Sequence, residues 1–313
     1  MTSYAVFGGA GFIGRNVCNY ISEKSLGEIH VFDDLSMGNQ LIDAEFEFNL
    51  TVGDMRNSQS VGVFLKSAKP DVILHLVANS DILASSLNPK VDVENTLLTT
   101  VALSKALQGV RTPLLVFASS SAIFGDVSGA ITNHTPARPQ SPYGYMKLAS
   151  ELLLEHMVDD GLVERLLLVR FPNVTGPWQT HGVVRDLVKK LLSNSDKLEV
   201  LGDGTQSKPY ATANQLVENI FKLLPRCPMG TTKALIAPPD KVTVKEIVDM
   251  LIDLSGRSPK IEYGTSRAGW VGDVPEYSFD CTETESLMGE ITFDPSKVAI
   301  KKSLEWELEN WNR

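Results

Sequence analysis

Short apolar runs and helical stripes take turns along the first half of the chain. Tyr4 to Phe7, Glu28 to Phe32, Val72 to Leu76, Leu114 to Phe117 and Leu166 to Phe171 are compact and β-prone. Another strand ends at Val52. Runs this short, apolar throughout and bounded by polar turns, suit strands covered on both faces. Between them the apolar residues return every three or four positions. Ile13, Val17, Cys18 and Ile21 make one stripe, and a long helix is expected from Pro89 to about Leu107. A third starts at Pro142, which suits a first helical turn, and continues through Leu148, Leu152, Leu153 and Met157. This alternation predicts an α/β fold: a Rossmann-like doubly wound parallel sheet with Leu166 to Phe171 as its sixth strand.

The alternation loosens after Phe171, where Pro172 to Trp178 has the composition of a loop. Helices are expected over Asp186 to Leu192, Gln215 to Leu224, Val244 to Leu254 and Ile300 to Trp311, and a strand over Leu198 to Leu201. Thr243 can cap the Val244 helix and Gly256 can stop it. These pieces predict a smaller C-terminal α/β lobe on the carboxyl edge of the sheet. The division falls near residue 175, giving 1–175 and 176–313, with some chain crossing between the two.

Composition narrows the function. The 313 residues are 43% hydrophobic and 21% charged, with a formal net charge of -9. An acidic surface argues against nonspecific binding to nucleic acid or anionic membranes. Cys18, Cys227 and Cys281 are odd in number and lie in no Cys-x-x-Cys pair, so neither a disulfide framework nor a metal site is expected, and each reads as a buried thiol. No apolar run is long enough to span a bilayer. Met1-Thr2-Ser3 leads straight into a strand without a basic segment, so a cytoplasmic location is expected.

The candidate chemistry sits at the turns. Gly8, Gly11 and Gly14 lie between a strand and a helix, where a dinucleotide pyrophosphate meets a helix N-terminus. Asp33 closes the second strand about 20 residues further on, where a carboxylate accepts from an adenosine 2'-hydroxyl and repels a 2'-phosphate, favouring NAD over NADP. An acid at Asp54 can meet the adenine amino group. Ser119-Ser120-Ser121 ends the Leu114 strand at the sheet edge where open α/β folds bind ligands. Tyr143 and Lys147 are four apart and share a helix face. An ammonium beside a phenol favours the phenolate, so the Tyr143 pKa is expected to fall and the side chain to serve as a general base. Tyr145 is the rival, without a lysine four residues on.

Taken in order, Gly8-x-x-Gly11-x-x-Gly14, Asp33, the serine strand end and Tyr143-x-x-x-Lys147 resemble the extended short-chain dehydrogenase/reductase family. Within it the chain is similar to the NAD-dependent sugar-nucleotide epimerases that act at carbon 4 of UDP-glucose-type sugars. Arg170 to Pro177, Thr180 to Val183, Leu198 to Gln206 and Gly269 to Pro275 carry the likeness into the second half. The resemblance implies Ser120, Tyr143 and Lys147 as the catalytic set. It implies an NAD site of Gly8, Gly11, Phe12, Ile13, Gly14, Asp33, Asp34, Asp54, Met55, Val77, Ala78, Asn95, Ala118 and Pro172, shared with Tyr143 and Lys147. A nucleotide-diphosphate sugar would meet Ser80, Ser120, Asn173, Lys208 and Arg267. Three departures from the family pattern bear on substrate identity: Phe124 for a tyrosine, Asn214 for an aspartate and His134 for a glutamate.

Related chemistries share this scaffold. A 4,6-dehydratase needs an acid and a base that the family places as Asp-Glu at positions held here by Ser121 and Ala122. A nucleotide-sugar dehydrogenase or reductase would exchange its cofactor with solvent instead of retaining it. A non-catalytic NAD-sensing regulator would have no need of Tyr143, Lys147 and a serine together. The family also implies a homodimer through the helices near 90–107 and 143–158.

Overall fold

The computed structural model describes residues 1–39, 41–79, 86–110, 112–270 and 272–311. β1 (Thr2–Phe7), β2 (Gly27–Asp33), β3 (Asn49–Val52), β4 (Val72–His75), β5 (Leu114–Ala118) and β6 (Arg165–Arg170) join a seventh strand, Gly230–Leu235, in one sheet. All neighbours are parallel. The order runs from Gly230–Leu235 through β6, β5, β4 and β1 to β2 and β3. Its direction reverses between β1 and β4, so the chain leaves these two neighbours toward opposite faces and opens a crevice at their carboxyl ends.

The strands alternate their side chains between two cores, as the pleat requires. Tyr4, Val6, Val31, Leu74, Val116 and Val169 face one side with α1 (Phe12–Glu23) and the helix Ala213–Leu223. Ala5, Phe7, Phe32, Ile73, Phe117 and Leu168 face the other. That side is covered by α2 (Ser58–Ala68), α3 (90–106) and α4 (Pro142–Asp159). In α3, Lys90–Asp92 leads into a π-helical turn over Val93–Leu97 and then Leu98–Ala106. The expected long helix is therefore interrupted, and Asn95 sits in the wider turn. Both sheet faces being apolar is why the strand runs carry no polar alternation.

Two elements, the strand Gly230–Leu235 and the helix α2, were not legible as apolar runs. Gly230–Leu235 is half polar, an edge strand paired to β6 from Gly230↔Arg165 to Leu235↔Arg170. The helix Ala213–Leu223 returns to the sheet with it, stacking Phe221 on Tyr20 at 4.9 Å. In α2 the Asn57 side chain accepts from Gln59 and Ser60 N–H groups at 3.1 and 3.2 Å, an N-cap followed by Val61, Phe64, Leu65 and Ala68 on the buried face.

A separate core forms beyond the sheet from Leu187, Val188 and Leu191 of Val183–Ser193, Ile247, Val248 and Leu251 of Val244–Ser255, and Ile300 and Leu304 of Ser296–Asn310. Thr243 and Glu246 close a reciprocal capping box, and Gly256 ends the Val244 helix at φ 64°. Cys18 and Cys227 are buried, whereas Cys281 is only half-buried, correcting the expectation for that thiol. Among the described residues no helix is long and apolar enough to cross a membrane.

The buried face of α4 departs from the expected stripe. Lys147, Ser150, Glu151, Leu154 and Met157 point inward, while Leu152 is 58% exposed. The inward polar groups are paired. Arg170 at the end of β6 donates from Nε and Nη2 to the two oxygens of Glu151, at 3.0 and 2.6 Å. His75 at the end of β4 meets Thr100 Oγ1 at 3.0 Å, and that hydroxyl donates to Ser150 at 3.2 Å. Strand, α3 and α4 are thus locked by polar contacts directly behind the carboxyl edge.

Two outcomes follow from these contacts. Glu151→Ala strands a buried guanidinium, so urea unfolding should show a loss of about 3–5 kcal/mol. Burial lowers the His75 pKa to about 3, from 6.5. The unfolded chain therefore binds a proton that the folded chain refuses between those values. Stability from this group is full above pH 6.5 and declines as pH falls toward 3. His75→Gln should flatten that part of the stability–pH curve in urea titrations from pH 7 to 4.

Candidate active site

The glycine turn shapes the first part of the site through space, not through side chains. Gly8 has φ 80°, a value reserved for glycine by sterics. A Cβ on Gly14 would sit 2.1 Å from the Gly8 carbonyl oxygen, so helix and turn touch backbone to backbone. Gly11 caps α1 with no side-chain acceptor, and the first turn holds no acid. The N–H groups of that turn are left to face a cleft, which fits a pyrophosphate.

The cleft lies at the crevice between β1, β2 and β4. Gly8, Gly11, Phe12, Ile13 and Gly14 line it from the turn and α1. Asp33, Asp34, Asp54 and Met55 line it on the side of β2 and β3, and Val77, Ala78 and Asn95 on the side of β4 and α3. Asp33 is held from both sides: Ala10 N–H donates to one oxygen at 3.0 Å and Leu35 N–H to the other at 2.8 Å. Burial raises its carboxyl above the ordinary range, and those two bonds oppose the rise. Asp54 takes a forked grip from Arg56, whose Nε and Nη2 approach at 2.8–3.0 Å, and this holds the acid below its ordinary range. The Asp54 carboxylate is therefore shared with Arg56, a cleft residue that sequence reading did not name. Asn79, Thr180 and His181 also line the cleft unforeseen. Thr180 and His181 lie far from the glycine turn in sequence, and only folding brings them to it.

The second part of the site is built where β5 ends, beside β4 in the sheet. Ser120 Oγ accepts from Ala122 N–H at 3.1 Å, leaving its own proton free to point elsewhere. This hydroxyl acts on the Tyr143 phenol, favouring its ionised form. The start of α4 is pressed against the same turn: a Cβ on Gly144 would lie 2.4 Å from the Ala122 carbonyl oxygen. Ser141 caps the helix by accepting from Gly144 N–H at 3.2 Å, with Pro142 in the first turn as expected. One turn on, Lys147 is 2% exposed and donates from Nζ to the Ala118 carbonyl at 2.6 Å. The ammonium lies 4.8 Å from the Phe117 ring centre and 5.8 Å from that of Tyr143. Tyr145 is 54% exposed, so it is not the phenol of this site.

The electrostatics correct one expectation. In the protein alone the Tyr143 pKa is raised, not lowered. Burial dominates, the Ser120 hydroxyl opposes it, and the negative charge of Asp92 adds to the rise. Burial also pulls Lys147 down to about 7, against the pull of Glu151 and Asp92. A neutral phenol and a half-charged amine are what a dry pocket favours. Asp92 itself is fully buried and accepts from Asn79 Nδ2 at 2.8 Å.

The remaining predicted residues are distributed unevenly. Ala118 and buried Pro172 stand at the ends of β5 and β6, beyond the lined cleft. Asn173 pairs across to Tyr210, two residues beyond Lys208. Lys208 is tied to Asp273 at 2.6 Å under the Trp270 ring. Arg267 pairs with Glu276 at 2.7 Å and lines a different hollow with Asp126 and Ser278. Ser80 lies outside the described residues. Among the described residues no cluster of His, Cys, Asp or Glu side chains could hold a metal ion.

Known proteins share sequence and fold with this chain. A Bacillus subtilis protein named as the uncharacterized UDP-glucose epimerase YtcB is 27% identical over 283 residues, covering 84% of this chain and 85% of its own. A crystal structure of a UDP-galactose 4-epimerase superposes with a TM-score of 0.85 at 30% identity, over 98% of each chain. MoeE5, solved with UDP-glucuronic acid and NAD, does so with a TM-score of 0.86 at 25% identity, over 98% of this chain and 99% of its own. The family model described as NAD dependent epimerase/dehydratase matches residues 4–233, from β1 through the glycine turn and the Ser120–Tyr143–Lys147 group into the seventh strand. The chain therefore belongs to the NAD dependent epimerase/dehydratase family.

Proposed function

We propose that the chain epimerises carbon 4 of a nucleotide-diphosphate hexose of the UDP-glucose or UDP-galactose type, with NAD as cofactor and a 4-keto sugar as intermediate. The observation that carries this reading is the gathering of Ser120, Tyr143 and Lys147 at the end of β5, with the buried Lys147 ammonium on the Ala118 carbonyl and 5.8 Å from the Tyr143 ring centre. Bound NAD supplies the hydride acceptor and donor, and the positive charge of its oxidised ring. The glycine turn and the uncapped start of α1 fit its pyrophosphate, and Asp33 its adenosine ribose.

Tyr143 removes the proton of the 4-hydroxyl and returns it after the sugar has turned over. The Ser120 proton, freed by the Ala122 N–H bond, bridges the substrate oxygen and the phenol. A phenol raised by burial needs positive charge nearby to ionise, and Lys147 is the residue that provides it. Residues 1–175 hold most of the cofactor cleft, which Thr180 and His181 complete, and 176–313 most of the nucleotide-sugar site, to which Ser120 and Asn173 contribute. Asn173 and Lys208 are the candidate diphosphate contacts, with Arg267 further out. Lys208 must then exchange Asp273 for substrate, or share it. Dehydration is disfavoured because Ser121 and Ala122 offer no acid–base pair beside Ser120.

The helices α3 and α4 leave an apolar outer face, with Val93, Leu98 and Val101 on one and Tyr145 and Leu152 on the other, each 36–58% exposed. A second copy covering this face as a homodimer is the accompanying proposal.

Two measurements test the reading. Incubation with UDP-glucose, UDP-galactose and their N-acetyl and uronate relatives should yield a 4-epimer by chromatography. Tyr143→Phe should slow conversion by at least about 10²–10⁴-fold with NAD binding retained in calorimetry. Undiminished turnover in that variant would remove Tyr143 from the mechanism. Separately, Leu152→Asp should move the protein from dimer to monomer in sedimentation velocity.

A further inference from the structure

Arg15 follows the glycine turn on α1 and has no part in the chemistry above. It is 5% exposed, and its Nε and Nη1 have no hydrogen-bond partner among the described residues. Its one ion pair among the described residues, to Asp43 at 3.6 Å, reaches an acid whose side chain is 64% exposed. Such a rim contact contributes little. The guanidinium instead lies between two rings, 5.2 Å from the centre of Phe46 and 4.8 Å from that of Trp178.

Those rings belong to two segments far apart in sequence. Phe46 lies in the β2–β3 connection, which also carries the cleft-lining Met37 and Gly38. Trp178 precedes the cleft-lining Thr180 and His181. Trp178 also holds a backbone conformation that glycine favours. The Gln179 N–H donates to the Gly176 carbonyl at 3.3 Å, with Pro177 and Trp178 at the centre of the turn and Trp178 at φ 65°. That turn type selects glycine or asparagine at the second central position. Keeping a tryptophan there, and burying unpaired guanidinium donors beside it, costs stability that the surrounding fold must offset. The final helix braces the turn, with Trp306 6.2 Å from Trp178 and Ser303 bonded to Thr175 at 2.6 Å.

We infer that Arg15 is a positioning residue for cofactor retention, clasping the two loops at the mouth of the NAD cleft through the Phe46–Arg15–Trp178 stack. The inference rests on the proposed NAD-dependent epimerisation. In that reaction one cofactor molecule must accept a hydride and return it to the same sugar. It must therefore stay bound longer than a turnover lasts. A clasp that spans both loops slows release without touching the cofactor.

The full chain loaded with radiolabelled NAD and chased with excess unlabelled NAD gives the release rate directly. Arg15→Met keeps the stem and removes the unpaired donors, so folding is preserved. It should release NAD about tenfold faster, the factor expected for losing a desolvated stacked cation. Its melting temperature without NAD should not fall, and its association rate should stay near that of the wild type. Trp178→Gly should speed release similarly, Trp178→Phe should restore slow release, and the double variant should be no faster than either single one. Release within twofold of wild type in Arg15→Met and Trp178→Gly would overturn the clasp and leave the cofactor reading standing. Additive effects in the double variant would overturn it equally. A wild-type protein that binds no NAD would instead overturn the cofactor reading.

Discussion

The contact on which the site depends is the docking of α4 against the end of β5. Gly144 lets the helix backbone come against the Ala122 carbonyl, and Lys147 ties the next turn to the Ala118 carbonyl. These two anchors fix the rotation of the helix. Once it is fixed, Tyr143 can only face Ser120, and the exposed Tyr145 can only face away. The inward polar groups of α4 then need partners, and the strand ends supply them: Arg170 for Glu151, and the His75–Thr100 pair for Ser150.

The same burial that positions these groups opposes their ionisation. It raises the Tyr143 phenol and brings Lys147 down to about 7, while Asp92 and Glu151 pull the lysine back toward its charged form. A phenol and an amine buried in this way change charge state only as far as the groups packed around them allow. The lined cleft meets the same sheet edge one strand away.

The cleft in turn depends on both halves of the chain. Its floor comes from the glycine turn and the ends of β1, β2 and β4, and one wall from Thr180 and His181. The helix Ala213–Leu223 and the strand Gly230–Leu235 return to the sheet and bind the second half to the first. The stack of Arg15 with Phe46 and Trp178 adds a third attachment at the cleft mouth.

By itself the sequence determined the parallel sheet, the glycine turn, Asp33 and the Tyr143–Lys147 spacing. Each of these is encoded locally: strands buried on both faces read as apolar runs, close backbone approach requires glycine, and residues four apart share a helix face. Tertiary structure alone decided the rest. The edge strand Gly230–Leu235 carried no apolar run, because Thr231 and Lys233 are exposed at the sheet edge, where no further strand pairs among the described residues. The inward face of α4 turned out polar, since its partners Arg170 and Thr100 come from elsewhere in the chain. The direction of the Tyr143 shift reversed, because desolvation is a property of everything packed around a group and cannot be read from a neighbour four residues away.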